Sequence, residues 1–455
     1  MRKFEILTIV AGAVLVVLQL FLFGVYGIAS VAGIATCSGL AFVLMMTQLQ
    51  HKGYRIPAII RGIRILIMTT IVTVAIVFTG FVVVNLPKES SFTDTLRVAS
   101  PEILTPPRYS QFMKILSQSD LPQLTDEQQR ALNELDYTKA NLVQYLSRTN
   151  AFRDVLFDFL SVTPIELPGA QRALIETQTA EYTVLITAAK AEATAIRWLY
   201  ALGESRKANE KYVRLWKSIA MMCRGKNSII HTVYTIAMAD IAINALENER
   251  IPTSLPKDTV LVSMDYVTKT LSHALNDSLI LEYEMLSRIL RDIPQHIPYI
   301  GPQGLPMIYA LNTDIVTLWP FYDSNKTRRI LHEYYTDLVA LNDLAYFQTA
   351  DKLLRLSDNY RKTVFARKWN NITGKALLAR IGIEYHSVFM QKDALLGRLA
   401  VVSMVLTETK FEENKLPKDP LTGKSYRVHS SRGMIAVISE FSENNNERIV
   451  FAWEK

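Results

Sequence analysis

The chain has 455 residues, 49% hydrophobic and 20% charged, with mean hydropathy +0.13. That is too apolar for a disordered chain, and two cysteines, Cys37 and Cys223, are too few for a disulfide framework. The net charge of +7 is concentrated at one end: residues 1–88 carry +6 and the other 367 residues only +1, which removes any general case for nucleic-acid binding.

Between Ile6 and Gln50 there is no charged residue. As one helix this run would measure about 68 Å, whereas a hydrocarbon core of about 30 Å needs about 20 residues. The small residues around Gly24, Gly27, Ala29 and Ser30 predict a turn, giving spans at about 6–23 and 31–47. A third uncharged stretch, 65–87, is long enough to cross with some tilt. Arg2 and Lys3 precede the first span, and Lys52, Arg55, Arg61 and Arg64 lie between the second and third. Two crossings between these clusters put both on one side, as the positive-inside rule requires. The reading is therefore a plasma (inner) membrane protein with a cytoplasmic N-terminus and everything beyond Pro87 outside. A signal peptide cleaved near Ala29 is the alternative; it also leaves the large domain outside. No span carries an acidic or basic residue, which disfavours a transporter or channel.

Residues 89–108, with Pro101, Pro106 and Pro107, read as a linker. Helical periodicity then dominates. Helices are expected at about 126–147 and 150–160, then across 168–247 with breaks near Gly203 and Gly225, then at 257–291, 327–356 and 374–409. The Pro/Gly segment 294–306 divides a first helical half (109–293) from a second (307–411). From 412 the character changes: a turn at Leu416–Gly423 precedes three short strand-like pieces at 425–428, 434–439 and 448–453. The expected fold class is mainly α: N-terminal transmembrane helices, a large α-helical domain, and a small C-terminal antiparallel β element.

This tail resembles the C-terminal module of the major pseudopilin of type II secretion. Pro417, Asp419 and Pro420 match its turn, and Gly423, Tyr426, Ser439, Ile449 and Trp453 match the strands that follow. The chain is more similar to an uncharacterised family of bacterial membrane-anchored helical envelope proteins, which join such a tail to a helical body. The segment from Gly225 to Ala245 is similar to a recurring helix of that body. Two features depart from a pseudopilin. The N-terminus, Met1-Arg2-Lys3-Phe4-Glu5-Ile6-Leu7, lacks the prepilin cleavage motif, and Ser442–Glu447 lacks the Gly and Asp of the calcium loop. Neither processing nor a metal site is expected.

No zinc, P-loop or hydrolase motif occurs among the seven histidines and two cysteines, so neither a cofactor nor a catalytic residue is assigned. His231 and Asp240 share a helix but are nine residues apart, on opposite faces, and do not form a dyad. One local charge run stands out: Lys352, Arg355, Arg361, Lys362, Arg367, Lys368, Lys375 and Arg380 face only Asp358 in 352–380. It reads either as a solvated helix face or as a patch for anionic lipid, cell-wall polymer or an acidic envelope protein. The leading expectation is a non-enzymatic periplasmic scaffold or interaction module. A ligand-binding sensor acting through a partner and an envelope enzyme without a recognisable motif are the alternatives.

Overall fold

The computed structural model describes residues 47–48, 50–51, 95–96 and 107–454, apart from 118–121, 163, 165–174, 225–227, 249–250, 297–322, 366–373, 375–377, 379–384, 408–411, 432 and 444–445. The expected spans, save Thr47, lie outside the described residues, as does the Pro/Gly segment beyond His296. Among the described residues no helix is long and apolar enough to cross a membrane.

Eleven α-helices are described, in the order α1 (Pro107–Ser117), α2 (Asp126–Asn133), α3 (Ala140–Arg148), α4 (Asn150–Val162), α5 (Ile175–Ala201), α6 (Ser205–Met222), α7 (Ile229–Asn244), α8 (Lys257–His296), α9 (Ser324–Asn342), α10 (Tyr346–Phe365) and α11 (His386–Thr407). A 3-10 turn, Glu413–Lys415, leads to β1 (Arg427–Ser431), β2 (Met434–Glu443) and β3 (Asn446–Glu454). The mainly helical class with a small antiparallel sheet at its end is thus present.

Local chemistry sets most boundaries. Thr125 and Gln128 form a reciprocal capping box at the start of α2 (3.2 and 3.0 Å). The helix expected over 126–147 is two helices, because Leu135 takes φ +52° and Asp136 accepts the Thr138 N–H (2.9 Å) in a turn. Gly203, at φ +78°, ends α5 where L side chains are strained, and Glu204 N–H closes the turn on Leu199 O (2.9 Å). α8 runs past Pro294, so the helix enters the segment expected as a loop. Proline cannot donate to the Leu290 carbonyl four residues back; that oxygen accepts a long bond from Ser324 Oγ (3.5 Å).

Long-range contacts set another boundary. One helix is expected over 327–356, but the chain breaks between α9 and α10. The buried Lys392 Nζ donates to the Asn342 carbonyl at the end of α9 (2.6 Å), and the neighbouring Asp393 accepts the first N–H of α10, from Tyr346. Two adjacent residues of α11 cap both sides of the gap, supplying the partners that helix ends lack.

The chain divides into two compact units. The first comprises Met1–Thr93, Arg288–Leu331 and Asn359–Gly382; in it Asp323 caps α9 through the Lys326 N–H (3.0 Å), and Tyr360 donates to Leu378 O (3.0 Å). The second comprises Asp94–Ser287, His332–Asp358 and Ile383–Lys455. In its core α4, α5, α6 and α7 pack around Leu156, Phe157, Tyr182, Trp216 and Ile219, all fully buried. Each such side chain contributes about 1.5–3 kcal/mol by leaving water. α11 packs on α7, and β3 packs on α11.

The tail is a three-stranded antiparallel meander in the order β1-β2-β3, pairing Val437 with Phe451 and Ile435 with Trp453. The strands run to Glu443 and Asn446, longer than expected, so residues 444–445 alone connect them. Asp419, buried, organises the turn before the sheet by accepting from Leu421 N–H (2.9 Å), Thr422 Oγ1 (3.0 Å) and Ser439 Oγ. Docking on α11 is close at Gly397: a Cβ there would overlap Tyr426 Oη and stand 3.1 Å from Pro420 Cδ. Arg398 beside it donates to Val450 O (2.8 Å), Asn244 Oδ1 (2.7 Å), Glu247 (3.1 Å) and Asp240, tying sheet to α7.

Candidate functional site

The most developed polar feature is a half-open cavity of about 800 Å³ walled by α3, α4, α5 and α6. Helical spacing builds its sides. Asn150, Arg153, Asp154 and Asp158 form one stripe of α4, and Lys207, Lys211 and Arg214 form one stripe of α6. α5 supplies Trp198 to the wall and, behind it, Glu192. Leu146, Ala195 and Leu199 make the apolar part.

Glu192 is completely buried and is the hub. Its carboxylate accepts from Arg153 Nε (2.9 Å), Lys211 Nζ (3.1 Å) and Arg214 Nη2 (3.0 Å). Arg153, itself buried, also donates from Nη1 to Leu146 O (3.0 Å) and to Thr149 Oγ1. Asp154 accepts from Asn150 (2.8 Å), Lys211 (2.8 Å) and Arg214, and Asp158 from Arg214 Nη1 (2.9 Å). Burial opposes ionisation of Glu192 and Asp154, but the cations outweigh it. Lys211, Arg153 and Arg214 hold Glu192, and Lys211 and Arg214 hold Asp154, below the usual carboxylate range. Neither Glu192 nor Asp154 can serve as a general acid near neutral pH, which requires a pKa near the operating pH. The arrangement is suited to recognition through fixed charge.

A second polar cluster is buried. Glu282 on α8 is buried, and among the described residues no cation pairs with it. Burial pushes its carboxyl up to about 7 against the opposing hydrogen bond from Tyr385, and its Oε2 has no hydrogen-bond partner. Tyr385 and Tyr335 share a 2.5 Å hydroxyl contact, and Tyr283 meets the edge of His332 at 5.6 Å.

The structure separates His231 from Asp240, as the helical spacing requires. His231 is buried; its Nε2 faces Met222 O (3.3 Å), so Nδ1 accepts from Tyr182 (2.8 Å). Burial pushes its pKa down to about 4. Asp240 pairs with Arg398 instead. Of the basic run, Lys352, Arg355, Arg361 and Lys362 are exposed on α10, while Arg367, Lys368, Lys375 and Arg380 lie outside the described residues. Among the described residues no group of three or more His, Cys, Asp or Glu is placed to hold a metal.

Sequence reasoning did not reach the cavity, because Arg153 and Glu192 are 39 residues apart and neither belongs to a motif. A signal existed nonetheless. Glu192 stands between Ala191 and Ala193 in an apolar stretch, where an acid must be paired or neutralised. Comparison of the chain with family models, with curated proteins and with solved structures finds no match.

Proposed function

We propose that this protein is a membrane-anchored envelope protein whose helical outer body recognises a partner without transforming it. The observation that carries this reading is the state of the cavity acids: Asp154 and Glu192 converge there, as catalytic carboxylates do, but arginine and lysine pin both in the charged form. Charge-free runs with basic flanks on one side support the anchor and a cytoplasmic N-terminus. The tail resemblance supports an envelope setting. Anionic lipid, cell-wall polymer or an acidic envelope protein suits the exposed cations of α10; nucleic acid does not suit a domain outside the cytoplasm. A ligand-binding domain acting through a partner is the second reading. It is favoured by the cavity volume, which falls in the roughly 300–1,000 Å³ range of small-molecule sites.

Cysteine labelling in intact cells tests the orientation. Asn445→Cys is introduced with Cys37→Ala. Cys223 can remain, because burial pushes its thiol up to about 12 and leaves it unreactive in the folded chain. A membrane-impermeant thiol reagent is expected to label intact cells. Labelling only after lysis would reverse the orientation and restore cytoplasmic partners.

A further inference from the structure

The cavity between α3, α4, α5 and α6 holds more cation in its protected part than its own carboxylates neutralise there. Arg153, Lys211 and Arg214 are 1%, 14% and 18% exposed. Against them stand Glu192 at 0% and Asp154 at 35%. Two further acids stand at the rim: Asp158, 66% exposed, reaches Arg214, and Glu210, 64% exposed, pairs with Arg206 instead. An ion pair so open to water contributes little. Among the described residues, the deep part therefore carries one positive charge whose counter-ion, Asp158, is weakly held. Acceptors are also short: Arg214 Nε is buried without one. Beside this corner the wall turns apolar, with Trp198, Ala195 and Leu146.

We infer that the cavity takes a compact organic anion, its carboxylate or phosphate displacing Asp158 at Arg214 and its carbon skeleton lying against Trp198. The inference rests on the recognition reading above and names the ligand class that reading leaves open. Arginine suits either anion, because its planar fork can engage two oxygens at once. Asp158 then acts as a competitor built into the rim, and the anion's affinity depends on how readily it yields.

The full-length chain in detergent is titrated calorimetrically with inorganic phosphate and, separately, with benzoate, each against sodium chloride at matched ionic strength. Saturable binding of at least one anion is expected; phosphate alone marks a phosphoryl ligand, and benzoate marks a carboxylate with a ring for Trp198. Asp158→Asn, at an exposed position, is expected to keep the fold and tighten binding by about 2- to 5-fold, the range that losing such a competitor allows. Arg214→Gln is expected to abolish binding. No saturable binding in either wild type or Asp158→Asn overturns the inference, as does binding that Asp158→Asn leaves unchanged. The labelling experiment is independent: a chain labelled from outside that binds neither anion loses the ligand and keeps the recognition reading.

Discussion

Glu192 and Glu282 are two buried glutamates in one folded unit, and they are in opposite states. Glu192 lies among Arg153, Lys211 and Arg214 and stays charged. Glu282 lies among tyrosines, and its carboxyl is raised to about 7. Burial is nearly the same, so burial does not decide ionisation; the partners do. Three cations on α4 and α6 replace the water that Glu192 loses, whereas the Tyr385 hydroxyl offsets only part of that loss for Glu282. One site is therefore a permanent charge cluster beside a cavity, and the other a group that titrates near neutrality.

The contrast is broken most severely at Glu192. Glu192→Gln leaves Arg153 buried without a counter-ion, and urea unfolding is expected to show a loss of about 3–5 kcal/mol. An unchanged midpoint would mean that water reaches Arg153. At Glu282 the expectation is a slope. Its folded pKa lies above its unfolded value, so its stabilising effect is full below about pH 4.5 and is lost as pH rises through about 7. The total is about 3 kcal/mol. The difference in unfolding free energy between wild type and Glu282→Gln, measured from pH 5 to 8, should follow that slope; a pH-independent difference would contradict it.

His231 sharpens the comparison from the basic side. Its folded pKa, about 4, lies below the ordinary 6.5, so the unfolded chain binds the extra proton between those values. Stability is full above pH 6.5 and falls as pH drops toward 4, again by about 3 kcal/mol. Between pH 4.5 and 6.5 this slope opposes that of Glu282. His231→Gln should therefore leave stability rising as the solution is acidified across that window, and a wild-type profile already rising steeply there would contradict the neutral buried histidine. The smallest effect belongs to Lys269, paired with Asp265 on the surface of α8 (2.7 Å). Lys269→Ala is expected to lower the unfolding free energy from urea titration by no more than about 0.5 kcal/mol, the usual contribution of an exposed i,i+4 pair.

Much of the helical body was legible because its signals are local. Thr125 and Gln128 cap the helix they precede, Gly203 stops α5, and alternation in the last thirty residues yields paired strands. The gap between α9 and α10 was not legible. Nothing in 343–345 compels a break as strongly as Lys392 and Asp393, which reach it from about fifty positions away. Gly397 likewise reads as an unremarkable helical glycine until Tyr426 and Pro420 are seen against it. The cavity has the same character. The stripes of α4 and α6 are visible as amphipathic spacing, but that they face each other across Glu192 is a property of the packed helices.

The sequence by itself determined the helical class, the antiparallel tail and the charge asymmetry between residues 1–88 and the rest, because composition, periodicity and turn chemistry act over a few residues. Tertiary structure alone decided which acids remain charged, where the long helical run breaks and which cations share a cavity. Those outcomes depend on partners brought together from distant positions and on the water excluded around them, and neither quantity exists until the helices pack.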